Sequence, residues 1–288
     1  MPGFAVPLGA TDCHMHVFGD PARYPAAAVR GYDPVPASLA AYRAMAGSLG
    51  LQRVVLVQPS AYGTDNSCMM DALRELPGVT RGVAVIGDAT PDAELDAMQA
   101  LGVRGIRLNL VSSGIPAPEV AVAALREAAE RVGPRGWHVQ IYAQPALFLA
   151  LAPAIGALGV PVVVDHMGGV DAGLGLAAPG LSDLLRLLEG GNCWVKVSGA
   201  NRVSREAVGF RDALPVMRAL MAANPERAVW GTDWPHIGPH DVKAPTTVTY
   251  MDHDNAGLLA LLGEAVEGDA GLRRVLVENP ARLYGFPV

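Results

Sequence analysis

Apolar residues along this chain gather in short runs of strand length. Each run is followed by polar or glycine-rich residues and then by a stretch with helical spacing. The runs cover residues 11–18, 53–60, 81–86, 103–110, 138–144, 160–166, 193–198 and 228–233. Several are almost continuous in Val and Leu, as in Val54-Val55-Leu56-Val57 and Val162-Val163-Val164. Strands covered on both faces have this composition, as in a parallel sheet flanked by helices. The segments at 37–49, 66–75, 92–101, 119–132, 181–189 and 210–223 repeat their apolar residues at three and four, with Gly102, Gly133 and Gly190 as predicted helix ends. About eight strands alternating with helices predict one α/β domain over 1–288, a distorted (β/α)8 TIM barrel. A doubly wound sheet would favour a glycine-rich loop after its first strand, and Asp12-Cys13-His14-Met15-His16 is not one. The longest irregular stretch, 238–249, is expected to loop over the barrel mouth.

Composition narrows the classes. The 288 residues are 51% hydrophobic and 17% charged, with a formal net charge of −6, which excludes a disordered chain. An isoelectric point near 5.6 and scattered basic residues argue against nucleic acid or an anionic membrane as partner. Cys13, Cys68 and Cys193 are far apart and match neither a disulfide framework nor a CxxC metal site, so a reducing compartment is expected. Met1-Pro2-Gly3-Phe4 lacks the basic and apolar regions of a signal peptide, and the expected location is cytoplasmic. Residues 143–164 carry no charge, but Pro145, Pro153, Gly156, Gly159 and Pro161 interrupt them. A helix ending near Gly156 and a strand from Pro161 are predicted there in place of a membrane span.

Chemistry in such a barrel sits at the carboxyl ends of the strands. Alternation places Asp12, His14 and His16 on one face and Cys13 on the other. On the corresponding faces stand Gln58 and Ser60, Arg107 and Asn109, Gln140, Tyr142 and Gln144, then Val162, Val164 and His166. Lys196 and Ser198 follow, and Val229, Gly231 and Asp233 complete the set. If these faces look inward, three histidines and an aspartate meet at the mouth. Arg107, within an apolar strand, needs an anionic partner, either a structural carboxylate or that of a substrate. Lys196, one of two lysines, reads as a buried structural ion pair or, as the alternative, a catalytic group. His138 reads as a structural histidine, Cys13 as core packing, and Asp252-His253-Asp254 as a helix cap or a solvent-facing run.

Three stretches carry a family resemblance: Asp12-Cys13-His14-Met15-His16, Asp165-His166-Met167-Gly168 and Gly231-Thr232-Asp233-Trp234-Pro235-His236. They resemble the first, sixth and eighth strand signatures of the amidohydrolase superfamily. Gln58-Pro59-Ser60-Ala61-Tyr62-Gly63, Arg104-Gly105-Ile106-Arg107-Leu108-Asn109, Gly136-Trp137-His138-Val139 and Glu278-Asn279-Pro280-Ala281-Arg282 are similar to the branch of 2-pyrone-4,6-dicarboxylate lactonases and sugar-acid lactone enzymes. The match runs over nearly the whole chain. It implies hydrolysis of a lactone ring in a small carboxylated substrate of aromatic- or sugar-acid catabolism. It further implies Asp233 as general base, with His14, His16 and His166 polarising the carbonyl through N–H donors. Arg107, Arg202, Tyr142, Tyr32, Ser60, Asn109 and His236 are implied to hold the substrate.

The pyrone lactonases work without a bound metal, so the resemblance requires no cofactor. His14, His16, His166 and Asp233 would nonetheless suit a single zinc ion with an open position for water. One departure changes the expected substrate. Where the pyrone lactonases carry a second arginine shortly after the fourth strand, this chain reads Asn109-Leu110-Val111-Ser112-Ser113. Monocarboxylated or sugar-acid lactones are therefore expected to serve at least as well as the pyrone dicarboxylate. The alternatives are a lactone isomerase similar to the galactarolactone isomerases and a mononuclear-metal decarboxylase of the same superfamily.

Overall fold

The computed structural model of the chain describes residues 3–111, 117–240 and 244–287. Eight strands lie parallel in sequence order: β1 (Thr11–Met15), β2 (Arg53–Val57), β3 (Thr80–Ala84), β4 (Val103–Asn109), β5 (His138–Tyr142), β6 (Val162–Val164), β7 (Cys193–Lys196) and β8 (Ala228–Val229). Helices α1 (Leu39–Ser48), α2 (Ser67–Glu75), α3 (Asp92–Leu101), α4 (Pro118–Val132), α5 (Phe148–Ala157), α6 (Leu181–Glu189), α7 (Ala200–Val203) and α8 (Leu214–Ala223) fall in the crossovers. The barrel is nearly closed. The two-residue β8 reaches β1 through His14 O accepting from Asp233 N (2.7 Å) and through the amides of Cys13 and His16 donating to Trp230 and Trp234 carbonyls (both 2.9 Å). This is the (β/α)8 architecture expected from the alternation of runs.

Strand positions divide between two apolar layers. Val54, Leu56, Ile106, Val139, Ile141, Val162, Val164 and Val195 pack outward against the helices. Cys13, Val55, Val57, Val83, Val163, Trp194 and Val229 fill the interior, joined by Tyr284 and Phe286 from the end of the described chain. The predicted helix ends hold: Gly102, Gly133 and Gly190 are C-caps, and Gly102 takes the left-handed conformation that favours glycine. The uncharged 143–164 stretch resolves into α5 and β6, and no helix among the described residues is long and apolar enough to cross a membrane. Helices α9 (Asn255–Ala265), α10 (Gly268–Arg273) and α11 (Asn279–Tyr284) lie beyond the segments marked by spacing. Leucines in α9 at 258, 259, 261 and 262 leave no polar face by which three-and-four periodicity could be read.

Two expected faces are corrected. In β6, Val163 is the interior residue, while Val162 and Val164 pack outward, so His166 does not share the inward face by alternation. In β1 the register slips between Asp12 and Met15, three steps on β1 being matched to two on β2. An extra residue of this kind lets neighbouring side chains share one side. Asp12 does not join His14, and Cys13 packs inside the barrel as a core residue beneath the histidines.

Candidate active site

The bulge in β1 is pinned by Asp12. Its Oδ1 accepts from the backbone amides of His14 (3.0 Å) and Thr232 (2.9 Å), and its Oδ2 accepts from the hydroxyls of Thr232 (2.6 Å) and Tyr42 (3.0 Å). This buried carboxylate ties the first strand to the chain leaving β8, and burial pushes its pKa up to about 6 against those hydrogen bonds. Gly231 makes the approach possible, since a Cβ there would lie 2.4 Å from the His14 backbone nitrogen. His166 follows the end of β6 with φ +48°, and Asp233 follows β8 with φ +64°. Left-handed backbone costs a non-glycine residue roughly 1 kcal/mol or more. Here it turns the His166 side chain into the site against the alternation of its strand, while Asp233 keeps the inward parity of Val229.

The result is a convergence. His14 Nε2, His16 Nε2 and His166 Nε2 each lie 3.7 Å from the same atom, Asp233 Oδ1. Asp233 Oδ2 accepts from Arg202 Nε on α7. Burial pushes the Asp233 pKa up, but the Arg202 guanidinium and the imidazoles of His166, His16 and His14 outweigh it and hold the carboxyl well below its usual range. His166 is pushed down to about 4, chiefly by burial, and its Nδ1 stands 3.1 Å from the Ser198 hydroxyl. His16 Nδ1 stands 2.8 Å from the Val57 carbonyl, which can only accept, so that nitrogen carries a proton.

A second carboxylate, Asp165, lies beneath this centre, and sequence reasoning assigned it no role. Its Oδ2 accepts from Arg107 Nε (2.9 Å) and Gln140 Nε2 (3.0 Å), while its Oδ1 stands 3.3 Å from His14 Nδ1 and 3.6 Å from Lys196 Nζ. Arg107 thus has its structural carboxylate, and Lys196 its buried ion pair. The readable signal was charge balance: two cations in apolar strands needed an anion, and Asp165 ends an apolar run in phase with Val163. Burial opposes the charge of Asp165, but His14, Lys196 and Arg107 hold its pKa well below the usual range.

Ligand-type atoms gather in two buried triads, His14–His16–Asp233 and His14–Asp165–His166, each within 4.8 Å of one another. His14 Nε2 and Asp233 Oδ1 are buried without a hydrogen-bond partner among the described residues. Atoms about 2.1 Å from a tetrahedral ion stand roughly 3.4 Å apart, so the donor set fits a single divalent cation in kind and in spacing.

Above the centre opens a cavity of about 320 Å³, lined by His16, Tyr32, Pro59, Ser60, Arg107, Asn109, Val111, Tyr142, Arg202, Ile237 and His240. The structure brings together there six of the seven residues expected to hold substrate, with Arg107 stacked 5.3 Å over the Tyr142 ring. His236 is the exception. Its ring is buried, with Nε2 at 3.0 Å from Asn255 Oδ1 and the His253 ring against it, and its neighbour Ile237 faces the cavity instead. The expected mouth loop does contribute, through Ile237 just before it and His240 within it. Asp254 is the N-cap residue of α9 without a side-chain cap bond, and Asp252 is exposed. His138 lies inside the barrel against Tyr284, and burial, aided by the Lys196 charge, lowers it to about 3. Ser112 and Ser113, which replace the expected arginine segment, lie outside the described residues.

Comparison with known proteins places these observations in context. Residues 11–286 match the sequence family described as Amidohydrolase. A 2-pyrone-4,6-dicarboxylate hydrolase of Comamonas testosteroni is 37% identical over 98% of this chain and 92% of its own length. A 4-sulfomuconolactone hydrolase of Hydrogenophaga intermedia is 32% identical over 98% and 90%. A D-galactarolactone isomerase of Agrobacterium fabrum is 29% identical over 98% and 93%.

Proposed function

Since the chain belongs to the amidohydrolase family, we propose that it is a lactonase, a hydrolase that opens a small carboxylated cyclic ester. One observation carries this reading: three imidazole nitrogens, each 3.7 Å from one carboxylate oxygen, stand behind a cavity wall that bears two guanidinium groups. Arg107 and Arg202 each spend Nε on a buried carboxylate, which leaves the terminal nitrogens for a substrate carboxylate. Tyr32, Tyr142, Ser60 and Asn109 orient the ring. Asp233 takes a proton from the attacking water as the new C–O bond forms at the carbonyl carbon. It returns that proton to the ring oxygen as the ester C–O bond breaks. Its low proton affinity keeps it ionised at neutral pH, and the proton is held only within a turnover.

Charge developing on the carbonyl oxygen meets N–H donors from His14 and His166, each worth on the order of 3 kcal/mol in the barrier. The Ser198 hydroxyl, donating to His166 Nδ1, leaves Nε2–H for this purpose. His16, with its Nδ1 proton committed to the Val57 carbonyl, offers Nε2 to the water and aims it. A divalent ion, when bound, would be held by His14, His16, His166 and Asp233 and would polarise the carbonyl or acidify the water. The reading itself requires no ion.

A pH-stat screen tests the proposal, because hydrolysis at neutral pH releases one acid equivalent per lactone opened. Lactones differing in carboxylate number and ring size are assayed with protein purified without added zinc, before and after chelation. Acid release from monocarboxylated or sugar-acid lactones at least matching that from the pyrone dicarboxylate, and unchanged by chelation, is expected. Lactone consumed without acid release would mean isomerisation, and no turnover anywhere in the panel would sink the reading.

A further inference from the structure

Lys196 is fully buried at the end of β7, and a buried ammonium must place all three of its protons. One goes to the Cys13 carbonyl at 2.9 Å and one to Gln140 Oε1 at 2.7 Å. For the third there are two acceptors, His14 Nδ1 at 3.2 Å and Asp165 Oδ1 at 3.6 Å. Asp165 Oδ1 also stands 3.3 Å from His14 Nδ1, so that nitrogen lies between a donor and an acceptor and can serve only one. A proton on Nδ1 would confront the ammonium and leave the third Lys196 proton nothing within hydrogen-bond reach, since 3.6 Å is too long. A bare Nδ1 accepts that proton. Asp165 is already supplied through Oδ2, and its Oδ1 has no hydrogen-bond partner among the described residues.

We infer that Lys196 is a positioning residue that fixes His14 as its Nε2–H tautomer, so that this imidazole faces the reacting centre as a donor. The use made of that proton rests on the lactonase reading, whereas the tautomer does not. A second consequence concerns metals. A protonated Nε2 cannot ligate an ion at the Asp233 centre and Nδ1 faces the ammonium, so Lys196 holds a convergent, metal-shaped cluster away from the ion-binding state, and Asp165 would favour the opposite tautomer if the ammonium were removed.

The tautomer is read directly in the unaltered protein by two-dimensional 15N–1H correlation on 15N-histidine-labelled material. The His14 signals are assigned by their loss in His14→Gln. A bare Nδ1 with a protonated Nε2 is expected, and a protonated Nδ1 overturns the inference whatever the enzyme's activity. In Lys196→Met, kcat is expected to fall at least about tenfold with KM little changed. Zinc affinity measured by equilibrium dialysis is expected to rise by roughly tenfold. A folded variant with unchanged kcat and unchanged zinc affinity overturns the inference. If the variant does not fold, the spectrum of the unaltered protein decides alone. An Nε2–H His14 in a protein that opens no lactone would retire the lactonase reading and leave the tautomer standing.

Discussion

Asp233 is asked to remain a carboxylate among buried groups, to hold Arg202 and to take a proton, and its left-handed backbone shows that the fold bends to deliver it. Asp233→Asn tests this without disturbing that backbone, because asparagine tolerates positive φ nearly as well as aspartate. Turnover is expected to fall by about a thousandfold or more, as loss of a general base implies. Binding of a competitive carboxylate inhibitor should persist, seen by calorimetry. Retained turnover would remove Asp233 from the role of base. Residues of this kind were legible in the sequence as types: His14, His16, His166 and Asp233 stand in signatures at strand ends. Asp165 was legible only as a need: two cations in apolar strands call for an anion, and which carboxylate answers shows only once the strands are neighbours.

At the level of elements, the strands were readable because apolar runs covered on both faces have few other uses, and the helices because their apolar residues recur at three and four. Alternation failed at two places, each for a backbone reason. A bulge in β1 shifts phase by one residue, and the left-handed turn after β6 swings His166 inward from the wrong parity. Neither event leaves a mark in hydrophobic pattern. The β1–β8 seam at the bulge is fragile, since β8 has two strand residues and depends on Asp12 and on the bare face of Gly231. Gly231→Ala would drive a methyl against the His14 backbone. An overpacking loss of about 1–3 kcal/mol is expected in urea unfolding. Catalytic loss should exceed the stability loss, with kcat/KM down by about a hundredfold, because spreading the seam separates Asp233 from His14 and His16. Equal kcat/KM in variant and parent would show that the seam does not set the site.

For the whole molecule, the buried imidazoles set the response to acid. His166 and His138 remain neutral in the fold down to about 4 and about 3, while in the unfolded chain they protonate near 6.5. The unfolded state therefore binds more protons in that interval, and stability present above pH 6.5 is lost as pH falls. The two losses are on the order of 3 and 5 kcal/mol when complete. Asp12 acts in the other direction: its folded value of about 6 lies above the unfolded 3.8, so it returns on the order of 3 kcal/mol as pH drops from 6 to 4. A net fall of several kcal/mol in urea-derived stability between pH 6.5 and 4 is expected, with a shallower slope in His138→Phe. A flat profile would contradict the buried neutral histidines.

The stack of valines beneath the catalytic floor, stoppered at the far end by Tyr284 and Phe286, has a kinetic corollary. Among the described residues that end is packed shut, so what enters the cavity at the mouth leaves past the same two guanidinium groups. Ring opening creates one more anionic group than was admitted, and those cations will hold the departing acid in the doorway. Progress curves should bend early, and added ring-opened acid should compete with fresh lactone, raising the apparent KM at constant maximal rate. Purely non-competitive inhibition would point to another exit.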